Sequence, residues 1–339
     1  MQYGALLAAV AAVLLAHEPA PVRAQQMMRF SCSKLVIERL DPLVSPGEAQ
    51  SPHLHQIGGG NSFRASMPSG AGGEEEGAEG GKEEEEEEFF DPVAESTCTS
   101  CSFAEDFSNY WTANLFFRAR NGSLLRVPQL ANMGLSADGG LTVYYIPPYR
   151  DEKTKVTAFK PVRFTHPSVL PYRVLSLLLS VHALMYMFRF GPIANKPPLT
   201  NQGFRMLVGD STLRQAEGQQ RQLCHRCFAT VNQVPFGGAP CTGEDTAALP
   251  AGMCRGGIRT TITFPTCWDG VHVDSPDHKA HVAYPETGTF ESGGPCPASH
   301  PVKLPQLMYE VIWDTRRFND PDLWPEDGSQ PFVYSMGDG

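Results

Sequence analysis

Short segments of alternating apolar and polar residues, bounded by Pro and Gly, are the feature that most constrains the fold of this 339-residue chain. The clearest of them cover 110–119, 141–146, 258–264 and 307–314. Successive side chains of a β-strand point to opposite faces, so this period of two predicts strands. The 32 Gly and 29 Pro supply turns between them. Outside the N-terminus, only the apolar stretch within 169–190 is long enough to suggest a helix. We therefore predict a mainly β, β-sandwich-like single domain with long loops.

The N-terminus predicts secretion. Residues 4–16 form an apolar run that is too short to span a bilayer as a helix, which takes about 20 residues. Small residues at Val22 and Ala24 suit cleavage after Ala24, so we predict a signal peptide over 1–24 and a mature domain over 25–339. The alternative is an uncleaved anchor. We expect an extracellular protein without a membrane span in the mature domain.

Nine cysteines follow the predicted cleavage site, and an oxidising compartment favours disulfides over free thiols. They are Cys32, Cys98, Cys101, Cys224, Cys227, Cys241, Cys254, Cys267 and Cys296. The sequence leaves their pairing open. The C-x-x-C spacing at 98–101 and 224–227 also fits a four-thiolate zinc site, which is the alternative. Because nine is odd, one thiol is free or its partner lies outside this chain. Asn121, in Asn-Gly-Ser, is the predicted glycosylation site.

Charge is concentrated in one low-complexity segment. The net charge is −10, and residues 69–88 hold ten Glu and one Lys, which leaves the remainder nearly neutral. A nearly neutral domain argues against a nucleic-acid partner. Like charges with almost no apolar residues cannot offset the entropy of ordering, so we predict a disordered insertion over 69–90.

A series of motifs, in order, covers nearly all of the predicted mature chain. Among them are Ser-Pro-His-Leu-His-Gln-Ile-Gly-Gly-Gly-Asn (51–61), Phe-Pro-Thr-Cys-Trp-Asp-Gly (264–270) and Asp-Ser-Pro-Asp-His-Lys-Ala-His-Val-Ala-Tyr-Pro (274–285). The others lie at 29–32, 38–44, 98–101, 108–115, 203–210, 296–302 and 324–332. Together they resemble a secreted domain-of-unknown-function family, DUF1996, known from fungi and actinobacteria. In this family the domain sometimes accompanies WSC carbohydrate-binding modules, which implies a cell-wall setting.

The resemblance also implies two insertions and a missing end. The family pattern runs from 159–161 directly into 203–206, so 162–202 is an insertion, as is the Glu-rich segment. We interpret 162–202 as a retained intron, because Val codons begin with GT, one Gln codon is CAG, and its 41 codons keep the reading frame. The family pattern continues beyond Met336, so we expect a truncated C-terminus, with a lost cysteine explaining the odd count.

The candidate site consists of His and Asp residues within the family motifs. The candidate catalytic residues are His53, His55, Asp269, Asp277, His278, His281 and His300. His53 and His55 lie two apart, which puts them on one face of a strand, and His278 and His281 lie three apart, neighbours on a helical turn. Imidazole suits Zn, Cu, Fe and Ni, so His53, His55, His278 and His281 are the ligands for a divalent metal cofactor if one binds. The alternative is that each histidine hydrogen-bonds the main chain of a loop.

The sequence supports two hypotheses about the function of the protein. One is an enzyme, a hydrolase or lyase acting on cell-wall or plant polysaccharide through a shared His/Asp pocket. The other is a non-catalytic, disulfide-stabilised carbohydrate-binding or wall-associated module. The candidate substrate-binding residues are Asp41, Asn61 and Trp268, although buried core positions are the commoner use of Trp. There is no phosphate-binding loop and no Gly-x-Ser-x-Gly elbow, which disfavours nucleotide binding and an α/β-hydrolase.

Overall fold

The computed structural model describes residues 27–68, 90, 92–130, 139–147, 203–210, 222–231, 233, 243–287 and 294–335. This part does not include the predicted signal peptide 1–24, residues 69–89 of the predicted Glu-rich insertion, the interval 162–202 and residues 336–339. The predictions made for those segments stay predictions. Within the described residues, no helix is long and apolar enough to cross a membrane.

A six-stranded antiparallel sheet forms the centre of the fold. Its strands are β1 (Met28–Cys32), β7 (Gln129–Leu130), β8 (Leu141–Ile146), β9 (Leu223–Phe228), β10 (Gly257–Thr263) and β14 (Gln306–Trp313). The order is β1-β8-β14-β10-β9, and β7 pairs with β14. Each of the predicted strands at 141–146, 258–264 and 307–314 is present within one residue of its predicted bounds.

Three antiparallel sheets of three strands each surround the central sheet. They contain β2 (Val36–Glu38), β3 (His55–Gly59) and β4 (Asn109–Ala113); β5 (Leu115–Arg118), β6 (Leu124–Arg126) and β15 (Phe332–Tyr334); and β11 (Cys267–Trp268), β12 (Val282–Ala283) and β13 (Val302–Lys303). The described helices are short: α1 (Pro92–Glu95) and 3₁₀ turns at Arg316–Phe318 and Pro321–Leu323. The predicted strand at 110–119 is therefore two strands, β4 and β5, in different sheets.

The main hydrophobic core lies between the central sheet and two of the smaller sheets. The central sheet contributes Phe30, Val143, Ile258, Tyr309 and Trp313. Tyr110 of β4, Leu115 and Phe117 of β5, and Phe332 of β15 pack against the same core. Alternating strands bury apolar side chains on this face, as the period of two predicts. The predicted mainly β fold is confirmed.

The sheet β2-β3-β4 depends on a close backbone approach at Gly59. Its φ is +107°, and a Cβ there would lie 1.8 Å from the carbonyl oxygen of Ser108. Only glycine has no Cβ to clash, and it adopts positive φ without strain. The close approach lets β3 pair with β4 over its whole length, from His55 opposite Ala113 to Gly59 opposite Asn109.

Disulfides fasten the sheets to their loops. The bonds are Cys32–Cys101, Cys227–Cys254 and Cys267–Cys296, and Cys224 is also disulfide-bonded. Cys98 is free and exposed, which accounts for one unpaired thiol. Because Cys101, Cys224 and Cys227 are oxidised, the alternative of a four-thiolate zinc site built from the two C-x-x-C pairs is wrong. The prediction of a disulfide-held domain is confirmed.

His225, a buried histidine on β9 that contacts Tyr334 of β15, predicts acid sensitivity. Nδ1 of His225 lies 3.0 Å from the Ala247 carbonyl oxygen, and Nε2 lies 3.0 Å from the Tyr334 hydroxyl. Burial lowers the pKa of His225 to about 4, below its unfolded value of about 6.5. The unfolded chain therefore binds the proton first, so this stabilisation is complete above pH 6.5 and is lost as the pH falls toward 4.

We expect His225→Gln to remove about 2–3 kcal/mol of the stability difference between pH 7 and pH 4.5. Urea unfolding of wild type and variant at the two pH values measures this difference. His272→Gln, at a side chain that is 67% exposed, is the control and should leave the difference unchanged. An identical pH dependence in wild type and His225→Gln would show that His225 protonates equally in both states.

Candidate functional site

An Asp–His pair lies in the loop between β11 and β12. Nδ1 of His278 is 2.6 Å from Oδ1 of Asp274. A carboxylate oxygen accepts, so Nδ1 carries the hydrogen and the neutral ring keeps its lone pair on Nε2. Within the described part of the chain, Nε2 makes no hydrogen bond, and the side chain is half-buried. The pair can therefore accept a proton at Nε2.

Asp274 is held in place from two sides. Its Oδ1 also accepts the Ser275 N–H at 2.9 Å, and its Oδ2 lies 3.8 Å from Nε of Arg205. The side chain of Asp274 is almost fully buried. The carboxylate can thus orient the imidazole and stabilise the positive charge that a proton would bring to it.

The backbone of His278 is strained. Its φ is +54°, and it is the one non-glycine residue with positive φ among those that the structure describes. Two backbone hydrogen bonds hold it, from the His278 N–H to the Ser275 carbonyl and from the Leu207 N–H to the His278 carbonyl. Left-handed conformations at non-glycine residues are costly and concentrate at functional sites. The segment 276–281 forms turns, so the predicted helical stacking of His278 and His281 is wrong.

His281 and Asp277 support this loop. His281 is buried, with Nε2 2.8 Å from the Arg205 carbonyl oxygen and Nδ1 2.9 Å from Oγ of Ser275, and burial lowers its pKa. Asp277 accepts the N–H groups of Lys279 and Ala280, which lower its pKa to about 2. A carboxylate with that pKa stays ionised near neutrality, so Asp277 closes a turn and cannot serve there as a general acid.

His300 and Asp269 also form hydrogen bonds with nearby residues. Nε2 of His300 donates to the Ala280 carbonyl at 2.9 Å. Asp269 accepts the N–H groups of Val271 and His272, and Nδ1 of His272 lies 2.6 Å from its Oδ2. Burial alone would raise the pKa of Asp269, but these hydrogen bonds outweigh it and lower the pKa. Both residues therefore have local structural partners.

A second group lies where the chain enters β3. Ligand atoms of Asp41, His53 and His55 lie within 4.8 Å of one another, and all three residues are buried. The rings of His53 and His55 are perpendicular, with centroids 5.9 Å apart. Burial lowers the pKa of His55 despite the nearby charge of Asp41. The predicted pairing of His53 with His55 thus extends to Asp41, which the sequence had suggested only for substrate binding.

The structure brings the candidate histidines together as two groups. Among the described residues, no set of three ligand atoms within 4.8 Å combines His53 or His55 with His278 or His281. The four histidines therefore do not form one ligand set. His55, His281 and His300 each bond a main-chain carbonyl, as the alternative to a shared pocket predicts.

Two candidate substrate-binding residues are unsuited to that role. Trp268 is 2% exposed, packs against Leu304 and donates its indole N–H to the His272 carbonyl, so its ring cannot stack on a sugar. Asn61 accepts the N–H groups of Thr97 and Cys98, which commits its side-chain oxygen to the loop. Asn121 is exposed in a turn, and its glycosylation stays a prediction.

Sequence reasoning missed a charged array on the other face of the central sheet. Asp245 bridges Arg226 and the fully buried Arg259, and Glu310 of the neighbouring strand accepts a hydrogen bond from Tyr144. The signal in the sequence is the pair of opposite charges, Arg259 and Glu310, on the polar sides of two alternating strands.

The fold and the site define a disulfide-held, mainly antiparallel β protein with a polar loop site. The chain belongs to the family described as Domain of unknown function (DUF1996), whose profile matches residues 41–164 and 176–339. Of the predicted insertion 162–202, residues 165–175 are unmatched and 162–164 and 176–202 are matched, and the retained-intron interpretation stays a prediction. No curated protein and no solved structure matches the chain significantly.

Proposed function

We propose that this protein is an extracellular enzyme that uses His278 as a general base on a cell-wall or plant polysaccharide. The Asp274–His278 pair carries the proposal, because it combines a 2.6 Å hydrogen bond, a buried carboxylate and an Nε2 that has no hydrogen bond to the described residues. The disulfides and the predicted signal peptide support the extracellular setting.

A base at this position suits two reactions on a polysaccharide. In hydrolysis, Nε2 takes a proton from the water that attacks the anomeric carbon; the glycosidic C–O bond breaks, and the departing oxygen is protonated by the solvent. In elimination, Nε2 takes the proton from C5, the carbon next to the carboxyl group of a uronic acid; the C4–O bond breaks, a C4–C5 double bond forms, and the departing oxygen is protonated by the solvent. The resulting imidazolium is stabilised by Asp274 in both cases, and proton transfer of this kind contributes about 10²–10⁴-fold to rate.

The first experiment is an assay of the secreted chain on β-glucan, chitin, cellulose, xylan and polygalacturonate. New reducing ends without unsaturated product indicate hydrolysis, whereas ultraviolet absorbance from an unsaturated sugar indicates elimination. Absence of turnover on all polymers, with retention on one of them, would support the non-catalytic binding module instead. That alternative draws on the half-buried rings of Phe63 and Trp111, 5.2 Å apart, which offer an aromatic surface.

Asp274→Asn tests the positioning role of the carboxylate. The amide oxygen can still accept from Ser275 and His278, but the variant loses the negative charge that stabilises the imidazolium. We expect kcat to fall about 10–100-fold with KM little changed, since a charge-assisted hydrogen bond contributes roughly 1.5–3 kcal/mol.

Activity per folded molecule separates this role from a merely structural one. We expect kcat, measured per mole of folded Asp274→Asn, to fall while Tm stays close to that of wild type. A loss of activity that only matches the loss of folded protein would assign Asp274 to stability alone.

A further inference from the structure

We propose that Asp41, His53 and His55 form a binding site for a divalent transition-metal ion, with Zn²⁺ as its probe. The proposal is independent of the base assigned to His278. Among the described residues, the other group with metal-ligand spacing contains Cys32, Cys101 and Asp106, and its two cysteines are joined in a disulfide. The Asp–His–His group is therefore the one whose ligand atoms are not joined in a covalent bond.

The hydrogen bond of His55 prepares its ring as a ligand. Nδ1 lies 2.9 Å from the carbonyl oxygen of Leu40, which can only accept, so Nδ1 carries the hydrogen. The lone pair of the neutral ring is consequently on Nε2. Metal-bound histidines usually donate their other ring N–H to a carbonyl or carboxylate in this way, which fixes the tautomer and the ring orientation.

Asp41 is oriented in a comparable manner. Its Oδ1 accepts the N–H groups of Leu43 and Val44 at 3.2 and 3.1 Å, which anchors the carboxylate at the start of a turn. Its Oδ2 lies 3.9 Å from Nε2 of His55. That distance is too long for a hydrogen bond between the two atoms. Two ligand atoms that share a tetrahedral Zn²⁺ are about 3.4 Å apart, so a small contraction would let both coordinate one ion.

The donor set selects the class of metal. Two imidazoles and one carboxylate suit Zn²⁺ and the ions of Cu, Fe and Ni, whereas Ca²⁺ and Mg²⁺ prefer sites in which every ligand is an oxygen atom. Three protein ligands leave a fourth position for water or another group. The ligands come from both ends of the connection between β2 and β3, so a bound ion would cross-link residue 41 to residues 53 and 55. Binding should therefore stabilise the folded chain.

The experiment uses the full chain, stripped with a chelator and alkylated at the exposed Cys98 so that its thiol does not bind metal. Titration calorimetry with ZnCl₂ and metal analysis after gel filtration should give about one Zn²⁺ per chain. At a hundredfold excess over Kd, Zn²⁺ should raise Tm by about 5–10 °C, and Mg²⁺ should not.

Asp41→Asn and His55→Asn are the matched variants. The first keeps an oxygen for Leu43 and Val44 but replaces one carboxylate oxygen by an amide, and the second keeps a donor for Leu40 but lacks Nε2. Each should weaken Zn²⁺ binding at least about tenfold. His300→Asn, at a histidine outside the group, should bind like wild type.

Two outcomes would overturn the proposal. One is the absence of Zn²⁺ binding by wild type. The other is equal binding by wild type, Asp41→Asn and His55→Asn, which would assign the ion to adventitious surface histidines. If a variant fails to fold, the visible absorption spectrum of Co²⁺ added to the wild-type chain tests the site instead. Visible bands typical of tetrahedral nitrogen and oxygen ligation support the site, and a spectrum of hexa-aquo Co²⁺ contradicts it.

Discussion

Arg259→Met should lower the free energy of unfolding by about 3–5 kcal/mol, the usual cost of breaking a buried ion pair. The guanidinium of Arg259 is completely buried, and Nη2 donates to Oδ1 of Asp245 at 2.8 Å. Methionine has a similar length and fills much of the same volume. The loss therefore reports the charge that Asp245 and the neighbouring Glu310 lose as a partner, more than a cavity.

Arg316→Met is the matched control for this measurement. Arg316 makes a bidentate ion pair with Asp314, with Nε 2.6 Å from Oδ1 and Nη2 2.7 Å from Oδ2, but the side chain of Arg316 is 45% exposed. Exposed pairs contribute about 0–1 kcal/mol, because water screens them and the long side chain loses entropy. Urea unfolding of both variants at pH 7 measures the contrast. A loss for Arg259→Met no larger than that for Arg316→Met would mean that water solvates the array in solution.

The same array shows why the alternating pattern predicts strands but does not show which of their faces are buried. The alternation in 258–264 and 307–314 reflects the pleat, which is a local property of the backbone. Ile258 and Tyr309, on the apolar side of the alternation, lie in the core. Arg259 and Glu310, on the polar side, are buried too, because the second face of the central sheet is covered as well. Which faces are covered depends on contacts between distant segments, which the pattern does not encode.

The break in the strand predicted at 110–119 has a similar cause. Asn114 separates β4 from β5 and is fully buried, with its N–H bonded to the Leu54 carbonyl and its carbonyl bonded to the Ser335 N–H. These long-range bonds let the chain leave one sheet and enter another without losing its alternation. A single alternating run cannot reveal that its two halves pair with different partners.

The sequence predicted which types of residue form the candidate site, but not which of those residues lie together in space. Sequence reasoning identified His278 and the pair of His53 with His55, because imidazole and carboxylate carry most proton-transfer and metal chemistry. The sequence could not show that a ring nitrogen of His281, and one of His300, bonds a main-chain carbonyl oxygen. Nor could it show that Asp41 lies beside His55. Those outcomes depend on where the fold places the carbonyls of Arg205 and Ala280 and the carboxylate of Asp41.

His278→Asn should reduce turnover of the polysaccharide substrate by about 10²–10⁴-fold, the usual contribution of a general base. The asparagine amide can occupy the place of Nδ1–H and donate to Asp274, while nothing replaces the lone pair on Nε2. The variant therefore removes the base and keeps the hydrogen bond that organises the loop. Because the loss is confined to the proton-transfer step, kcat should fall and KM should stay close to that of wild type.

The backbone of this loop makes His278→Asn an unusually clean test. Asparagine is among the few non-glycine residues that adopt positive φ readily, so φ of +54° suits it at least as well as histidine. Tm of the variant should accordingly equal or exceed that of wild type. His272→Asn is the control, because His272 also holds a carboxylate at 2.6 Å through Nδ1 but lies on the surface, and its activity should be unchanged. Full activity in a folded His278→Asn would remove His278 from the mechanism and leave the loop a structural element.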